Sequence, residues 1–274
     1  MLARYFARLD GTLFVHVDAR ADAGAYAPLV RRHANVRLVR QRVAVYWGGF
    51  SMLLATVAGL REARSAGRHD RYMLLSENTV PLRTPARLAG ELAADVEFLH
   101  SHPVPETPDD LVRRRYEGWY CFDGAAVTAA ERFTPLFREV DDAVLERMRR
   151  MGELRQRGKV KLPGLRHGSQ WWALSEAAVA RVLDTHTMNA WLRESFEFSA
   201  FPDEQYVQSI LALADWRRPC RMFMHTDFSR DPRPFIYRSA EELTALREGP
   251  CCMVRKVDVT APGVAEYMRG ITAG

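Results

Sequence analysis

The side chains spaced for chemistry in this sequence gather mostly in its second half. Pro202-Asp203-Glu204 sets two carboxylates directly behind a proline. Proline at the first helical position with acids beside it marks a helix start, where unpaired N–H groups carry partial positive charge. That dipole alone accounts for both acids. The chemical alternative is a carboxylate that takes the proton from an attacking hydroxyl. Upstream, Gly168-Ser169-Gln170-Trp171-Trp172 offers hydroxyl, amide and indole groups on a strand-like piece from Gln170 to Leu174. Strand alternation sends the two tryptophans to opposite faces, one to the core and one to a cleft where an indole can stack on a ligand. Ser169 and Gln170 read either as polar ligand contacts or as ordinary strand-edge hydrogen bonding. Downstream, Arg255-Lys256 stands out because the chain holds 36 arginines and only three lysines, the others at 159 and 161.

The elements that must position these groups follow from hydrophobic spacing. Leu13 to Asp18 predicts a buried strand with a carboxylate at its end, Val36 to Val39 a second strand, and Ser51 to Ala66 a helix. Tyr72 to Ser76 and Glu97 to His100 predict further strands, with a helix from Pro85 to Ala94 between them. Glu176 to Asp184 predicts another helix. Strands alternating with helices imply an α/β layer with a mainly parallel, Rossmann-type sheet flanked by helices. Ligands in such sheets sit at the carboxyl ends of strands, where Asp18, Ser76 and Glu77 fall. Ser101 to Pro108 is a proline-rich loop and 129–157 is amphipathic, so about 102–161 reads as a loop and helical insertion in one domain spanning 1–274.

Composition narrows the function classes. A chain of 274 residues, 47% hydrophobic and 27% charged, buries a sizeable core. The longest apolar-leaning run, Phe50 to Leu60, falls short of the ~20 residues a bilayer core requires, so no membrane span is expected. No secretory leader pattern opens the sequence. The net charge of +5 comes from basic residues spread along the chain, without the spacing of a nucleic-acid-binding motif. An anionic small molecule suits this excess as well. Cys121, Cys220, Cys251 and Cys252 form neither a CxxC pair nor a ligand cluster, which predicts buried free thiols and a cytoplasmic chain.

Five segments carry a family resemblance. They are Trp47-Gly48-Gly49, Leu75 to Leu82 (LSENTVPL), Gly168 to Leu174, Phe201 to Tyr206 and Arg255 to Asp258. In this order they resemble the core-2/I-branching β-1,6-N-acetylglucosaminyltransferase family, which also holds the peptide-O-xylosyltransferases and their plant relatives. The resemblance runs from Leu9 to Met268, and the Ser76-Glu77-Asn78-Thr79 stretch is most similar to the plant branch. It implies a modified GT-A-like fold and inverting transfer of a sugar (GlcNAc, Xyl or GlcA) from a nucleotide-diphosphate donor, UDP-linked, to a hydroxyl of a glycan or small molecule. The family works without the Asp-x-Asp metal site of other GT-A enzymes. The sequence agrees, since Asp18 and Asp22 are too widely spaced, and basic side chains are the physical substitute at a diphosphate. No cofactor and no metal are therefore expected.

Residue by residue, similarity to the family makes Glu204 the base and puts Arg233, Lys256 and Arg255 at the donor diphosphate. Asp203 either caps the helix or holds a sugar hydroxyl. His16, Asp18, Trp47, Ser76, Glu77, Ser169, Gln170 and Trp171 fall around the nucleotide and sugar. Arg115-Tyr116-Glu117 is similar to a stretch that meets the acceptor. The chain departs from the pattern at three places. Arg233 stands where most branches have His, Thr79 replaces an acidic residue or Cys, and Met1 to Tyr5 already lies inside the helix that follows the family's first strand. The alternative expectation is a non-catalytic nucleotide-sugar- or glycan-binding homologue lacking that strand.

Overall fold

Two large apolar clusters organise the chain, and the neighbours Trp171 and Trp172 pack one against each. The computed structural model describes residues 1–104, 120, 122–123, 146, 149–150, 165–229 and 234–274. Arg115, Tyr116, Glu117, Cys121 and Arg233 lie outside the described residues. So does most of 129–157, of which Glu146, Arg149 and Arg150 are described and helical.

The first cluster is built on the Phe50–Ala66 helix, which buries Phe50, Leu53, Val57 and Leu60 along one face. Each such side chain contributes roughly 1.5–3 kcal/mol on full burial. The helix stops at Gly67, whose φ of +148° few other residues adopt. Tyr72, Trp172 and Leu174 join it, with the helices Glu176–Met188, Ala190–Phe196 and Tyr206–Leu213. The second cluster gathers Tyr5 and Phe6 of the opening helix, Leu88 of the Pro85–Leu92 helix, Met253, Val254, and Val264 of the closing Pro262–Ala273 helix. Among the described residues no helix is long and apolar enough to cross a membrane.

The sheets are small and mixed, which corrects the expectation of one mainly parallel sheet. Four strands run in the order Arg71–Met73, Ala173–Ser175, Glu97–Phe98, Cys220–Arg221, and Ala173–Ser175 is antiparallel to both neighbours. Three more run in the order Met224–His225, Met253–Val254, Val80–Pro81, the first pair parallel and the second antiparallel. Leu13–Val15 pairs in parallel with Val36–Leu38. The cause of the antiparallel centre is a stem. Phe98 faces Ala173, His102 faces His167, and Pro103 faces Arg166, while Val104 N–H donates to the Leu165 carbonyl at 3.0 Å. The chain leaves the sheet along one arm and returns along the other. Two arms of one stem must run in opposite directions, whereas parallel pairing needs a crossover.

Burial also departs from expectation in places. Leu13–Val15 is only half-buried along its length. Cys251 and Cys252 are buried free thiols, but Cys220 is exposed at the sheet edge.

Candidate functional site

The turn that carries the acid pair is strained and held on every side. Phe201 has φ 51° and ψ 54°, the left-handed region, which in a bulky residue costs about 1–3 kcal/mol. Proline at 202 closes the right-handed region to it. Phe201 N–H donates to the Gly48 carbonyl at 2.8 Å, and its ring meets Trp47 edge-on at 4.6 Å. Left-handed backbone at 201 swings the chain into a single 3-10 turn, Pro202–Glu204, before the Tyr206–Leu213 helix begins. The helix expected to open at Pro202 is thus preceded by a separate turn. Asp203 is buried at 5% exposure, Glu204 is half-buried, and Gln205 donates through Nε2 to the Ala200 carbonyl at 2.8 Å.

That turn is locked to the segment upstream. Gly168 N–H donates to the Glu204 carbonyl at 2.8 Å. A Cβ at Gly168 would lie 1.8 Å from the His100 carbonyl oxygen, so no larger residue fits between the stem and Glu204. Ser169 turns its hydroxyl back to accept from Trp171 N–H at 3.1 Å, and its carbonyl accepts from Gln208 Nε2 at 2.8 Å. Gln170 follows, half-buried. The two tryptophans do point apart. Trp172 is 1% exposed in the first cluster, while Trp171 is half-buried against the second. The regular strand is shorter than expected and starts only at Ala173.

Above Trp171 lies Arg255, its guanidinium carbon 4.5 Å from the indole centroid. Backbone hydrogen bonds fix this stretch. Arg255 N–H donates to the His225 carbonyl at 3.0 Å, Tyr237 N–H donates to that of Lys256 at 2.9 Å, and Val257 N–H donates to that of Asn78 at 3.0 Å. The last bond brings the Ser76–Thr79 turn alongside. Ser76 donates through Oγ to Asn78 Oδ1 at 2.7 Å, so its hydroxyl shapes the turn. Burial lowers the Arg255 pKa, and the nearby carboxylates of Glu77 and Glu204 oppose that shift. Arg255 therefore stands in the field of two acids from two different motifs. Its Nε is buried without a hydrogen-bond partner among the described residues. Lys256, next to it, is half-buried.

Asp18 and His16 belong to a neighbouring corner. The Arg20 guanidinium, 2.7 Å from Asp18, holds this carboxyl well below the usual range, helped by Val45 N–H at 3.0 Å. His16 Nε2 accepts from Val43 N–H at 2.9 Å, and burial lowers its pKa. Both residues pin the Val43–Val45 passage that leads to Trp47. They meet the Glu204 cluster through that backbone. Among the described residues no group of three or more His, Cys, Asp or Glu stands together in a way that could hold a metal.

The structure thus brings Glu204, Gly168, Ser169, Trp171, Arg255 and Glu77 to one place, with Trp47 joined through Phe201. Sequence reasoning missed Phe201, whose role depends on a backbone angle. It also missed Asp123, which reaches the start of the Phe50–Ala66 helix from far along the chain and accepts from Ser51 N–H at 3.1 Å.

Residues 1–118 match the family model described as Core-2/I-Branching enzyme. The chain is 25% identical over 208 residues to xylosyltransferase 2 of Bos taurus, covering 73% of this chain and 21% of that protein. It is 24% identical over 209 residues to xylosyltransferase 1 of Homo sapiens, covering 74% of this chain and 19% of that protein. The chain spans about a fifth of the length of these curated relatives. At its start the chain is thus similar to core-2/I-branching enzymes, and over most of its length to xylosyltransferases.

Proposed function

We propose that the chain is a glycosyltransferase that moves a sugar from a UDP-linked donor to a hydroxyl acceptor with inversion at the anomeric carbon and without a metal. Glu204 is the base. Its carboxylate takes the proton of the acceptor hydroxyl while the oxygen forms its bond to the anomeric carbon from the face opposite the leaving group. The bond from that carbon to the diphosphate breaks, and the electron pair leaves on a phosphate oxygen. Arg255, Lys256 and Arg233 neutralise the charge that develops there, as fixed donors at a diphosphate do. Trp171 supports Arg255 from below and offers an apolar face to the sugar, and the turn of Ser76 and Glu77 borders the same space. Asp203 holds the turn. His16 and Asp18 line the corner assigned to the nucleotide.

The observation that carries this reading is Arg255 seated over Trp171, in the field of the Glu77 and Glu204 carboxylates. The names of the relatives make xylose the first donor sugar to test. Glu204→Gln is the decisive variant. It keeps the shape and removes the base, so turnover should fall by about 10²–10⁴-fold while UDP affinity, measured by calorimetry, stays unchanged. Full turnover by Glu204→Gln would remove the assignment. Binding of UDP with no transfer by wild type to any offered acceptor would favour a nucleotide-sugar-binding role.

A further inference from the structure

The turn that presents Glu204 is clamped by residues for which the reaction above has no use. Phe122 packs its ring 6.0 Å from that of Phe201, and Tyr120, Phe122, Ala200 and Phe201 form an apolar cluster of their own. Tyr120 N–H donates to the Phe198 carbonyl at 3.0 Å, which ties one end of this short piece to the approach of the turn. The other end is tied by Asp123. Its carboxylate accepts from Ser51 N–H at 3.1 Å and from Ser51 Oγ at 2.5 Å. Ser51 Oγ in turn accepts from Tyr46 N–H at 2.8 Å. The cap of the Phe50–Ala66 helix is therefore supplied from 72 residues away. The residue at the cap position is Gly49, where a Cβ would fall 2.1 Å from Asp123 Oδ1. Gly48 beside it is left-handed at φ 84°, and its carbonyl is the acceptor that holds Phe201.

We propose that Asp123 is a positioning residue for Glu204, holding the Tyr46–Ser51 turn so that the Gly48 carbonyl and the Trp47 ring fix Phe201 in the left-handed conformation that aims Pro202–Glu204. The proposal rests on the reading of Glu204 as the base. Asp123 acts on the base through two hydrogen-bonded steps, Ser51 first and Gly48 with Phe201 second, while Phe122 presses on Phe201 directly. A base displaced by an ångström loses on the order of a hundredfold in rate without any loss of donor binding.

The test compares Asp123→Ala, Asp123→Asn, Ser51→Ala and a control, Leu243→Ala, which opens a cavity in the second apolar cluster. Asn keeps an acceptor for Ser51, and Ser51→Ala removes only the hydroxyl link should Asp123→Ala fail to fold. Amide hydrogen exchange is read by mass spectrometry over 46–52 and 198–206 in the protein alone, and kcat and donor KM are read with UDP-sugar and acceptor. Asp123→Ala should raise exchange in both segments by about tenfold or more. It should lower kcat by about ten- to a hundredfold with KM for the donor within about twofold. Ser51→Ala should shift both readouts in the same direction by less, Asp123→Asn should restore them, and Leu243→Ala should move neither beyond its general loss of stability. Exchange over 198–206 that matches the control would overturn the proposal, as would raised exchange with unchanged kcat. Glu204→Gln run alongside separates the two readings. Turnover lost there but kept in Asp123→Ala defeats the positioning role alone, whereas turnover kept in Glu204→Gln defeats the base on which it rests.

Discussion

Two arginines lie along the Trp171–Ser175 segment, and they are used in opposite ways. Arg71 runs beside Ala173–Ser175 and its donors are engaged. Nε binds the Leu92 carbonyl at 2.8 Å, Nη1 the Val96 carbonyl at 2.7 Å and Nη2 the Ala94 carbonyl at 2.5 Å. Its charge partner Glu97 is fully buried, 3.4 Å away, and accepts from Ser175 N–H at 2.8 Å and Ser175 Oγ at 2.6 Å. Arg255 rests on the Trp171 indole, with its Nε unpartnered among the described residues and its acids, Glu77 and Glu204, felt through space. A cation whose hydrogen bonds are complete holds a fold together. One whose hydrogen bonds are incomplete, in a half-buried site, has capacity left for a ligand.

The contrast predicts how stability responds. Glu97→Ala leaves Arg71 without its carboxylate and strands two donors of Ser175, so unfolding stability should drop by about 3–5 kcal/mol in a denaturant titration. A loss below about 1 kcal/mol would mean that the Arg71 site is no more structural than that of Arg255. A smaller, pH-dependent effect belongs to the support of the Glu204 turn. His186 is buried against Tyr206, with Nδ1 3.1 Å from the phenol oxygen, and burial together with Arg61 and Arg193 lowers its pKa to about 4. The unfolded chain takes up this proton near pH ~6.5 and the folded chain does not. Stability should therefore be fully present above that pH and fall as the pH drops toward about 4, by up to about 3 kcal/mol. His186→Gln should flatten that slope in melts recorded across the range. A slope unchanged by the substitution would assign it elsewhere. The smallest effect should come from Arg255→Ala. Loss of one cation–indole contact amounts to about 0.5–1 kcal/mol, which leaves Tm nearly unmoved.

Much of this was legible in the residues, and the rest depends on distance along the chain. The helix Phe50–Ala66 follows from its apolar spacing, and the helix expected from Glu176 to Asp184 runs on to Met188, capped by the Ser175 hydroxyl. The direction of the strands was not legible, because it follows from the stem that pairs 97–103 with 166–175, and no local pattern encodes that return. In the candidate site, Glu204, Trp171 and Arg255 stand in recognisable motifs, and the structure brings them together. Asp123 stands in none. Its partner is Ser51, and a carboxylate that caps a helix from far away resembles any acid in a loop. Gly168 was visible as part of a motif, but its reason, the His100 carbonyl at its back, was visible only in three dimensions.

The account turns on whether the incomplete cation beside Glu204 takes a diphosphate. The direct measurement is a calorimetric titration of UDP into chelator-treated protein, with wild type, Arg255→Ala, Lys256→Ala and Glu97→Gln side by side. The account predicts that wild type binds without metal and that each of the two cation variants weakens Kd by about tenfold or more at unchanged Tm, since a charge-assisted contact contributes about twice a neutral one. Glu97→Gln should bind as wild type does once folded. Binding that is indifferent to both cations, or that returns only when a divalent metal is added, would contradict it.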